Sequence, residues 1–380
     1  MLKTIACSSR SVPPLFSRIY VNGIIIVAGL LCLVAGAEGL VRGASRLAAA
    51  VGVSPLIIGL TVVAFGTSAP ELAVSIKAAF VSQGGIALGN VVGSNIFNVL
   101  FILGLSALIV PLTIDKQLIR LDVPLMVAVS VVVAWIAHDG RLDRLEGGLL
   151  VAGLCVYLAV LMSKRRLPGV DSEDKVGEVP VGNFGDHWLF NLVLVVGGLA
   201  LLVIGADWLV KGAANLARML GVSEAVIGLT IVAVGTSLPE AVTSVVAALR
   251  NQRDIAVGNI VGSNIFNIMG VLGISSLVAP GGISVPDSLI HFDIPVMIAV
   301  ACLCLPVFFT GERIGRWEGG LLFGYYLAYI TFLVLVELQS PMLPGLRKLL
   351  FYALPLTLVA FVPGVIREIR RRPAGRRVEP

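Results

Sequence analysis

Eleven long apolar runs follow one another along the chain, and they restrict its possible folds more than any other feature. An α-helix needs roughly 20 apolar residues to cross about 30 Å of hydrocarbon, and most of these runs reach that length. They also lack the alternation of membrane β-strands. Because only 13% of the residues are charged, against about 25% in soluble domains, we predict an all-α polytopic membrane protein. The runs cover 21–41, 55–79, 86–110, 123–138, 146–163, 189–210, 224–248, 255–279, 292–309, 318–337 and 349–366.

Two polar blocks lie inside these apolar runs, and each occurs twice at an offset of 169 residues. Residues 59–71 return as 228–240, and residues 89–98 return as 258–267. Extending the blocks to 59–79 and 89–104 gives 24 identities in 37 aligned positions. Because polar groups cost free energy within a bilayer, their presence in both copies indicates a function.

Each copy of the repeat contains five apolar runs, so the chain ends the first copy on the opposite side of the membrane. The second copy then enters inverted, which is the architecture of many secondary transporters. We therefore predict two inverted five-helix repeats and an eleventh C-terminal helix. The expected segments are an N-terminal extension (1–20), the first repeat (21–163), a cytoplasmic linker (164–187), the second repeat (188–338), and an extra helix with a basic tail (339–380).

The basic residues predict the orientation of the chain. With the N-terminus outside and the C-terminus inside, 18 Lys and Arg residues are cytoplasmic and nine are external, as the positive-inside rule requires. The net charge of +5 therefore reflects topology in a cell (inner) membrane and does not point to nucleic acid. The sequence leaves the oligomeric state open, with a monomer among the options.

Two acid–base pairs near the ends of spans also match between the copies. Glu38 with Arg42 corresponds to Asp207 with Lys211, and each base follows its acid by four residues. That spacing places both side chains on one helix face, which predicts structural ion pairs.

The first polar block should break its helix in mid-membrane. Pro70 lacks an N–H and clashes with the carbonyl of residue 66, so an α-helix kinks or stops there. Carbonyls over 64–67 are then freed and need partners. Thr67 and Ser68 precede Glu71 by four and three residues, so their hydroxyls share a face with its carboxylate. The second copy supplies Ala233, Thr236, Ser237, Pro239 and Glu240.

The second polar block adds a serine hydroxyl and an asparagine amide in each copy. These residues are Ser94, Asn98, Ser263 and Asn267. Carboxylates, hydroxyls and carbonyls are the oxygen ligands of hard cations such as Ca²⁺, whereas transition metals favour His and Cys, and the three histidines lie outside both blocks. If protonated, the carboxyl pair would instead carry protons. Four further amides fit interhelical hydrogen bonds as well as ion ligation: Asn90, Asn95, Asn259 and Asn264.

The doubled motifs Gly-Thr-Ser-x-Pro-Glu and Gly-Asn-x-x-Gly-Ser-Asn-Ile-Phe-Asn resemble the α-repeats of the sodium/calcium exchanger branch of the calcium/cation antiporter superfamily, prokaryotic type. The resemblance covers about 21–337. It implies a transporter rather than an enzyme, without a cofactor, which exchanges Na⁺ for Ca²⁺ by alternating access and extrudes Ca²⁺. It also implies Ca²⁺ ligands at Glu71, Glu240 and the Thr67 and Thr236 carbonyls. The Na⁺ ligands implied are Ser68, Ser237, Ser94, Ser263 and the Ala64 and Ala233 carbonyls. Asn98 would contact a central ion or water.

Asn267 departs from part of that family, because some members, including potassium-dependent ones, carry Asp at this position. The amide removes a third negative charge, which argues against K⁺ co-transport, and we include Asn267 among the candidate ligands. The nearest alternative is a Ca²⁺/H⁺ exchanger, whose motif typically has Glu soon after Gly-Asn, where this chain has Val-Val-Gly. An intramembrane hydrolase would need a base to activate Ser68. A passive cation channel is separated from an exchanger only by flux measurements.

Overall fold

The computed structural model describes residues 15–164, 188–222 and 233–349, and the single positions 227, 231, 357 and 366. Three predicted segments fall largely outside these residues. They are the N-terminal extension, the linker, and the eleventh helix at 349–366 with its basic tail.

The described residues are predominantly helical, as the apolar runs predict. Among them, eight helices are long and apolar enough to cross a membrane, and a ninth span is a pair of helices bent by 45°. The ten-helix core stays a prediction, because most of residues 223–232, which precede the short helix Leu238–Leu249, lie outside the described residues. The helices are α1 (Leu15–Val51), α2 (Pro55–Thr67), α3 (Ala69–Phe80), α4 (Gly84–Ile109), α5 (Leu118–Asp139), α6 (Arg144–Lys164), α7 (Trp188–Met219), α8 (Leu238–Leu249), α9 (Arg253–Val278), α10 (Leu289–Phe309) and α11 (Arg316–Glu337).

Two short antiparallel ladders join the halves of the chain at their loops. Strand β1 (Leu112–Thr113) pairs with β4 (Arg313–Ile314), and β2 (Arg141–Leu142) pairs with β3 (Ile283–Ser284). Each ladder has one strand in either half, so both halves are held by backbone hydrogen bonds as well as by helix packing.

Helices α4 and α9, which carry the second polar block, lie at the centre of the protein. In their most apolar stretches 72% and 100% of the residues are buried, against 17–44% in the other six continuous spans. The polar block is therefore enclosed by protein, where its side chains can find partners other than lipid.

Glycines at intervals of seven allow α1 and α7 to pack backbone against backbone. A Cβ on Gly36 would lie 2.7 Å from the carbonyl oxygen of Gly198, and a Cβ on Gly198 would lie 2.7 Å from that of Gly36. Gly29 and Gly205 face each other at 2.8 and 2.7 Å in the same sense. Since real Cβ atoms essentially never come within 3.0 Å of another heavy atom, these positions require glycine, and the two helices form one tightly packed unit.

Both predicted ion pairs are present, and one of them extends further than predicted. Arg42 binds Glu38 at 2.5 Å, and Lys211 binds Asp207 at 2.8 Å. Glu38 also receives the guanidinium of Arg250, with Nη2 at 2.7 Å and Nε at 3.0 Å. Because Arg250 follows α8, this bidentate pair ties α1 to the second half. The position that corresponds to Arg250 in the first half is Val81, so the pattern is not repeated there.

We expect Arg250→Ala to lower the free energy of unfolding by about 0.5–1 kcal/mol, because a partly exposed bidentate pair is worth no more than that. Lys211→Ala, which removes a base bound within its own helix, should cost less than about 0.5 kcal/mol. Thermal unfolding in detergent, at low and high choline chloride, measures both. Equal effects of the two variants, or no loss of the Arg250 effect at high salt, would contradict the assignment.

Candidate functional site

Both copies of the first polar block interrupt their helices at a serine. Ser68, between α2 and α3, has φ −79° and ψ 6°, and Ser237, before α8, has φ −89° and ψ 8°. Pro70 and Pro239 then lie in the first turn of the following helix, where the missing N–H costs nothing. The helix break predicted from Pro70 is therefore confirmed, and the polar residues of the block surround it.

The carbonyl of Ala64 differs from the prediction. It accepts the N–H of Ser68 at 3.0 Å and lies 3.3 Å from the hydroxyl of Thr67. The helix stays closed up to Ser68 because the proline removes the donor for Gly66 and leaves the bond to Ala64 intact. The Ala64 carbonyl is therefore hydrogen-bonded in this conformation and is not freed.

The two glutamates are fully buried, and each accepts a hydroxyl from the opposite half of the chain. Ser237 donates to Oε1 of Glu71 at 2.8 Å, and Ser68 donates to Oε1 of Glu240 at 3.1 Å. The hydroxyl oxygens of Ser237 and Ser94 are 2.9 Å apart. Helix spacing placed Ser68 beside Glu71, but the tertiary structure crosses the pairs, so every serine–glutamate contact joins the two halves.

Four asparagine side chains form hydrogen bonds that join α4 to α9. Asn98 donates to Oδ1 of Asn264 at 2.9 Å, and Asn267 donates to Oδ1 of Asn95 at 3.1 Å. Asn95 and Asn264 each donate in turn to the other's backbone carbonyl, at 3.3 and 3.5 Å. Asn98 and Asn267 lie in π-helical turns, Asn98–Leu103 and Phe266–Leu272, a distortion that often occurs at functional sites.

Four oxygens of these residues are buried without a hydrogen-bond partner in the described structure. They are Oε2 of Glu71, Oε2 of Glu240, Oδ1 of Asn98 and Oδ1 of Asn267. Leaving a buried acceptor unsatisfied costs about 1–3 kcal/mol, so matched pairs in both halves call for an explanation. All four are oxygens, and when the two carboxyls are ionised none of them has a hydrogen to donate, which is the ligand type that hard cations require.

The other predicted ligands differ in burial and in hydrogen bonding. Ser94, Ser263 and Thr67 are buried, and the Ser263 hydroxyl has no hydrogen-bond partner in the described structure. Thr236 is partly exposed, and its hydroxyl lies 3.3 Å from Oδ1 of Asn90. Ala233 begins a short helical turn, Ala233–Gly235, and its side chain is outside the described structure.

Sequence reasoning missed two serines that belong to this network. Ser75 and Ser244 are fully buried, and each accepts an amide hydrogen at 2.9 Å, from Asn90 and Asn259 respectively. The signal was available, because both serines are identical at the repeat offset and follow the glutamates by four residues.

Comparison with known proteins identifies the family of this chain. A model of the sodium/calcium exchanger protein family matches residues 21–163 and 190–335. The chain belongs to the sodium/calcium exchanger family. The doubled motifs thus identified the family correctly, and the all-α membrane fold is that of a helical exchanger.

Relatives of this exchanger-family chain match it over most of its length. The sodium/calcium exchanger MaX1 of Methanosarcina acetivorans is 37% identical over 352 residues, which cover 83% of this chain and 99% of MaX1. The inner membrane protein YrbG of Escherichia coli is 37% identical over 313 residues, covering 81% and 95%. The structure of the sodium-calcium exchanger NCX_Mj soaked with zero Na⁺ and Ca²⁺ superposes with a TM-score of 0.71 at 32% identity, covering 83% and 99%. The two exchangers among these relatives are transporters rather than enzymes.

Proposed function

We propose that this chain is a secondary active antiporter that exchanges Na⁺ for Ca²⁺ by alternating access, without a cofactor and without enzymatic chemistry. The observation that carries the proposal is the set of four unpartnered oxygens on Glu71, Glu240, Asn98 and Asn267, arranged as matching pairs in the two halves. Two carboxylates supply a charge of −2 when ionised, which one Ca²⁺ neutralises. Membership of the exchanger family supports the same cations.

We assign Ca²⁺ to Glu71 and Glu240 with the carbonyls of Thr67 and Thr236. The serine hydroxyls suit Na⁺, because Ser68 and Ser237 donate their hydrogens to the glutamates and keep lone pairs for a cation. Asn98 and Asn267 offer their amide oxygens at the centre. The remaining assigned Na⁺ ligands are Ser94, Ser263 and the carbonyls of Ala64 and Ala233, of which the Ala64 carbonyl must accept a further contact.

Competition for the two glutamates accounts for exchange. A site that holds either Ca²⁺ or Na⁺, but not both, must release one ion before it binds the other, and it changes sides only with an ion bound. If three Na⁺ move against one Ca²⁺, one net charge crosses per cycle, worth about 2.3 kcal/mol per 100 mV. An inward Na⁺ gradient and a negative interior then drive Ca²⁺ out of the cell.

The proposed transport mechanism also depends on the topology of the chain. The two halves, 21–163 and 188–338, act as inverted repeats that approach one site from opposite faces. We place the protein in the cell (inner) membrane with its N-terminus outside and its C-terminus in the cytoplasm, as the distribution of Lys and Arg favours.

The decisive experiment varies three gradients separately in proteoliposomes. We expect an outward Na⁺ gradient to drive Ca²⁺ uptake, with K⁺ and pH equal on both sides, and an inside-positive potential to accelerate it. Uptake driven by a pH gradient without Na⁺ would overturn the assignment in favour of Ca²⁺/H⁺ exchange. A requirement for K⁺ would contradict our interpretation of Asn267.

A further inference from the structure

Two asparagines at corresponding positions, Asn90 and Asn259, each connect both halves of the chain. Asn90 donates to Ser75 Oγ at 2.9 Å and to the backbone carbonyl of Glu71 at 3.2 Å, both in its own half. Its Oδ1 lies 3.3 Å from the hydroxyl of Thr236, which donates to it from the other half. The side chain thus connects the helix that carries Glu71 to Thr236, which lies in the other half.

Asn259 makes the same three contacts from the second half. It donates to Ser244 Oγ at 2.9 Å and to the carbonyl of Glu240 at 3.4 Å, and its Oδ1 accepts the Thr67 hydroxyl at 3.1 Å. In both residues the two amide hydrogens and the amide oxygen are all used by the protein. This arrangement contrasts with Asn98 and Asn267, whose amide oxygens have no such partner in the described structure.

Each asparagine closes a ring around one serine–glutamate contact. In the first ring, Asn259 holds the backbone of Glu240, the carboxylate of Glu240 accepts from Ser68, and Thr67, the neighbour of Ser68, donates back to Asn259. Asn90, Glu71, Ser237 and Thr236 form the second ring in the same way. Because a ring fixes all of its distances together, each asparagine sets how far a glutamate stands from the serine of the opposite half.

We propose that Asn90 and Asn259 are positioning residues, a crossed clamp that holds the ligands of one half in register with those of the other. The inference rests on the proposed role of the glutamates and threonine carbonyls as cation ligands. Neither asparagine touches the ion. Each acts through the threonine whose hydroxyl it accepts and whose carbonyl is an assigned Ca²⁺ ligand.

The side-chain type fits this role closely. Two donors and one acceptor are needed at one position, and of the residues of this size only asparagine supplies all three without charge. Aspartate keeps the acceptor for threonine but loses both donors, and alanine loses everything. A substitution should therefore weaken cation binding, because buried polar partners in both halves are left unsatisfied.

A double-mutant cycle tests the clamp, because the clamp predicts different effects of the two threonine substitutions once Asn90 has been replaced. Calcium affinity is measured by titration calorimetry with CaCl₂ on purified protein in Na⁺-free detergent. We expect Asn90→Ala to weaken Ca²⁺ binding about tenfold, and Thr236→Val, in the same ring, to add little in the Asn90→Ala background. Thr67→Val belongs to the other ring, so its full effect should persist in that background.

Equal effects of the two threonine variants in the Asn90→Ala background would overturn the clamp. That result would show a general loss of structure, which affects both rings alike. If Asn90→Ala does not fold, the mirror cycle on Asn259 exchanges the roles of the two threonines, and Ser75→Ala removes a single bond of the clamp. Ser106→Ala, which removes a buried hydroxyl from the same helix as Asn90, is the control and should leave Ca²⁺ affinity unchanged. Wild-type protein that binds Ca²⁺ without exchanging it for Na⁺ would overturn the proposed function, and the Ca²⁺ affinities of the variants could still be compared. Additive effects of Asn90→Ala and Thr236→Val on Ca²⁺ affinity would overturn the clamp alone.

Discussion

Glu71→Gln is expected to abolish Na⁺-driven Ca²⁺ uptake in proteoliposomes, and Glu240→Gln is expected to do the same. Glutamine keeps the shape of the side chain and can still accept the serine hydroxyl through one oxygen. Its other terminal group is an NH₂, which donates hydrogens and faces a cation unfavourably. Each substitution also removes one of the two charges that balance Ca²⁺, so neither the Ca²⁺-loaded nor the Na⁺-loaded site should assemble.

A matched control separates this site from any other buried acid. Asp122 is fully buried in α5 and accepts the Tyr157 hydroxyl at 2.9 Å and the Gln117 amide at 3.2 Å. Asp122→Asn retains the bond from Tyr157. We expect Asp122→Asn to keep Na⁺-driven uptake, and all three variants to elute from size-exclusion chromatography like the wild type. Normal uptake by Glu71→Gln or Glu240→Gln would show that the glutamates are not shared by the two ions.

Gly198→Leu is expected to reduce the yield of folded protein severely. A Cβ at this position would lie 2.6 Å from the backbone nitrogen of Leu40 and 2.7 Å from the carbonyl oxygen of Gly36. Backbone atoms cannot rotate away, so α1 and α7 must separate along their length. Inserting even one methylene into a tight interface costs about 1–3 kcal/mol, and a leucine adds several carbons beyond its Cβ.

The neighbouring glycine provides the control for this prediction. Gly197 is exposed on the same helix, and a Cβ there would meet nothing within 4 Å. Gly197→Leu should therefore fold and unfold at a Tm close to that of the wild type, whereas Gly198→Leu should be recovered poorly or with a much lower Tm. Similar behaviour of the two variants, in yield and in thermal unfolding, would contradict the close backbone packing of α1 and α7.

Features that depend on local chemistry were predictable from the sequence. Pro70 can break its helix at one place only, the apolar runs can fold only as membrane helices, and Glu38 with Arg42 must share a helix face. Two copies of an acid, hydroxyls and amides in apolar runs indicated a transport function, and the family followed from the resemblance of the doubled motifs to its α-repeats.

Features that depend on how the halves meet were not predictable. The spacing of Ser68 and Glu71 predicts a same-helix neighbour, but the hydroxyl reaches Glu240 across the interface. The Arg250 contact with Glu38 likewise joins residues that are 212 positions apart. For Asn90 and Asn259 the sequence left hydrogen bonding and ligation open, and their three protein contacts favour hydrogen bonding.

Paired tracer fluxes in the same proteoliposomes test the central claim most directly. Vesicles are loaded with radioactive Na⁺ and diluted into Na⁺-free medium that contains Ca²⁺, with K⁺ and pH equal on both sides. We predict that Na⁺ leaves only when external Ca²⁺ is present, that Ca²⁺ enters in fixed proportion, and that Glu240→Gln stops both movements together. Movement of either ion without the other would contradict an exchanger and indicate a passive pathway.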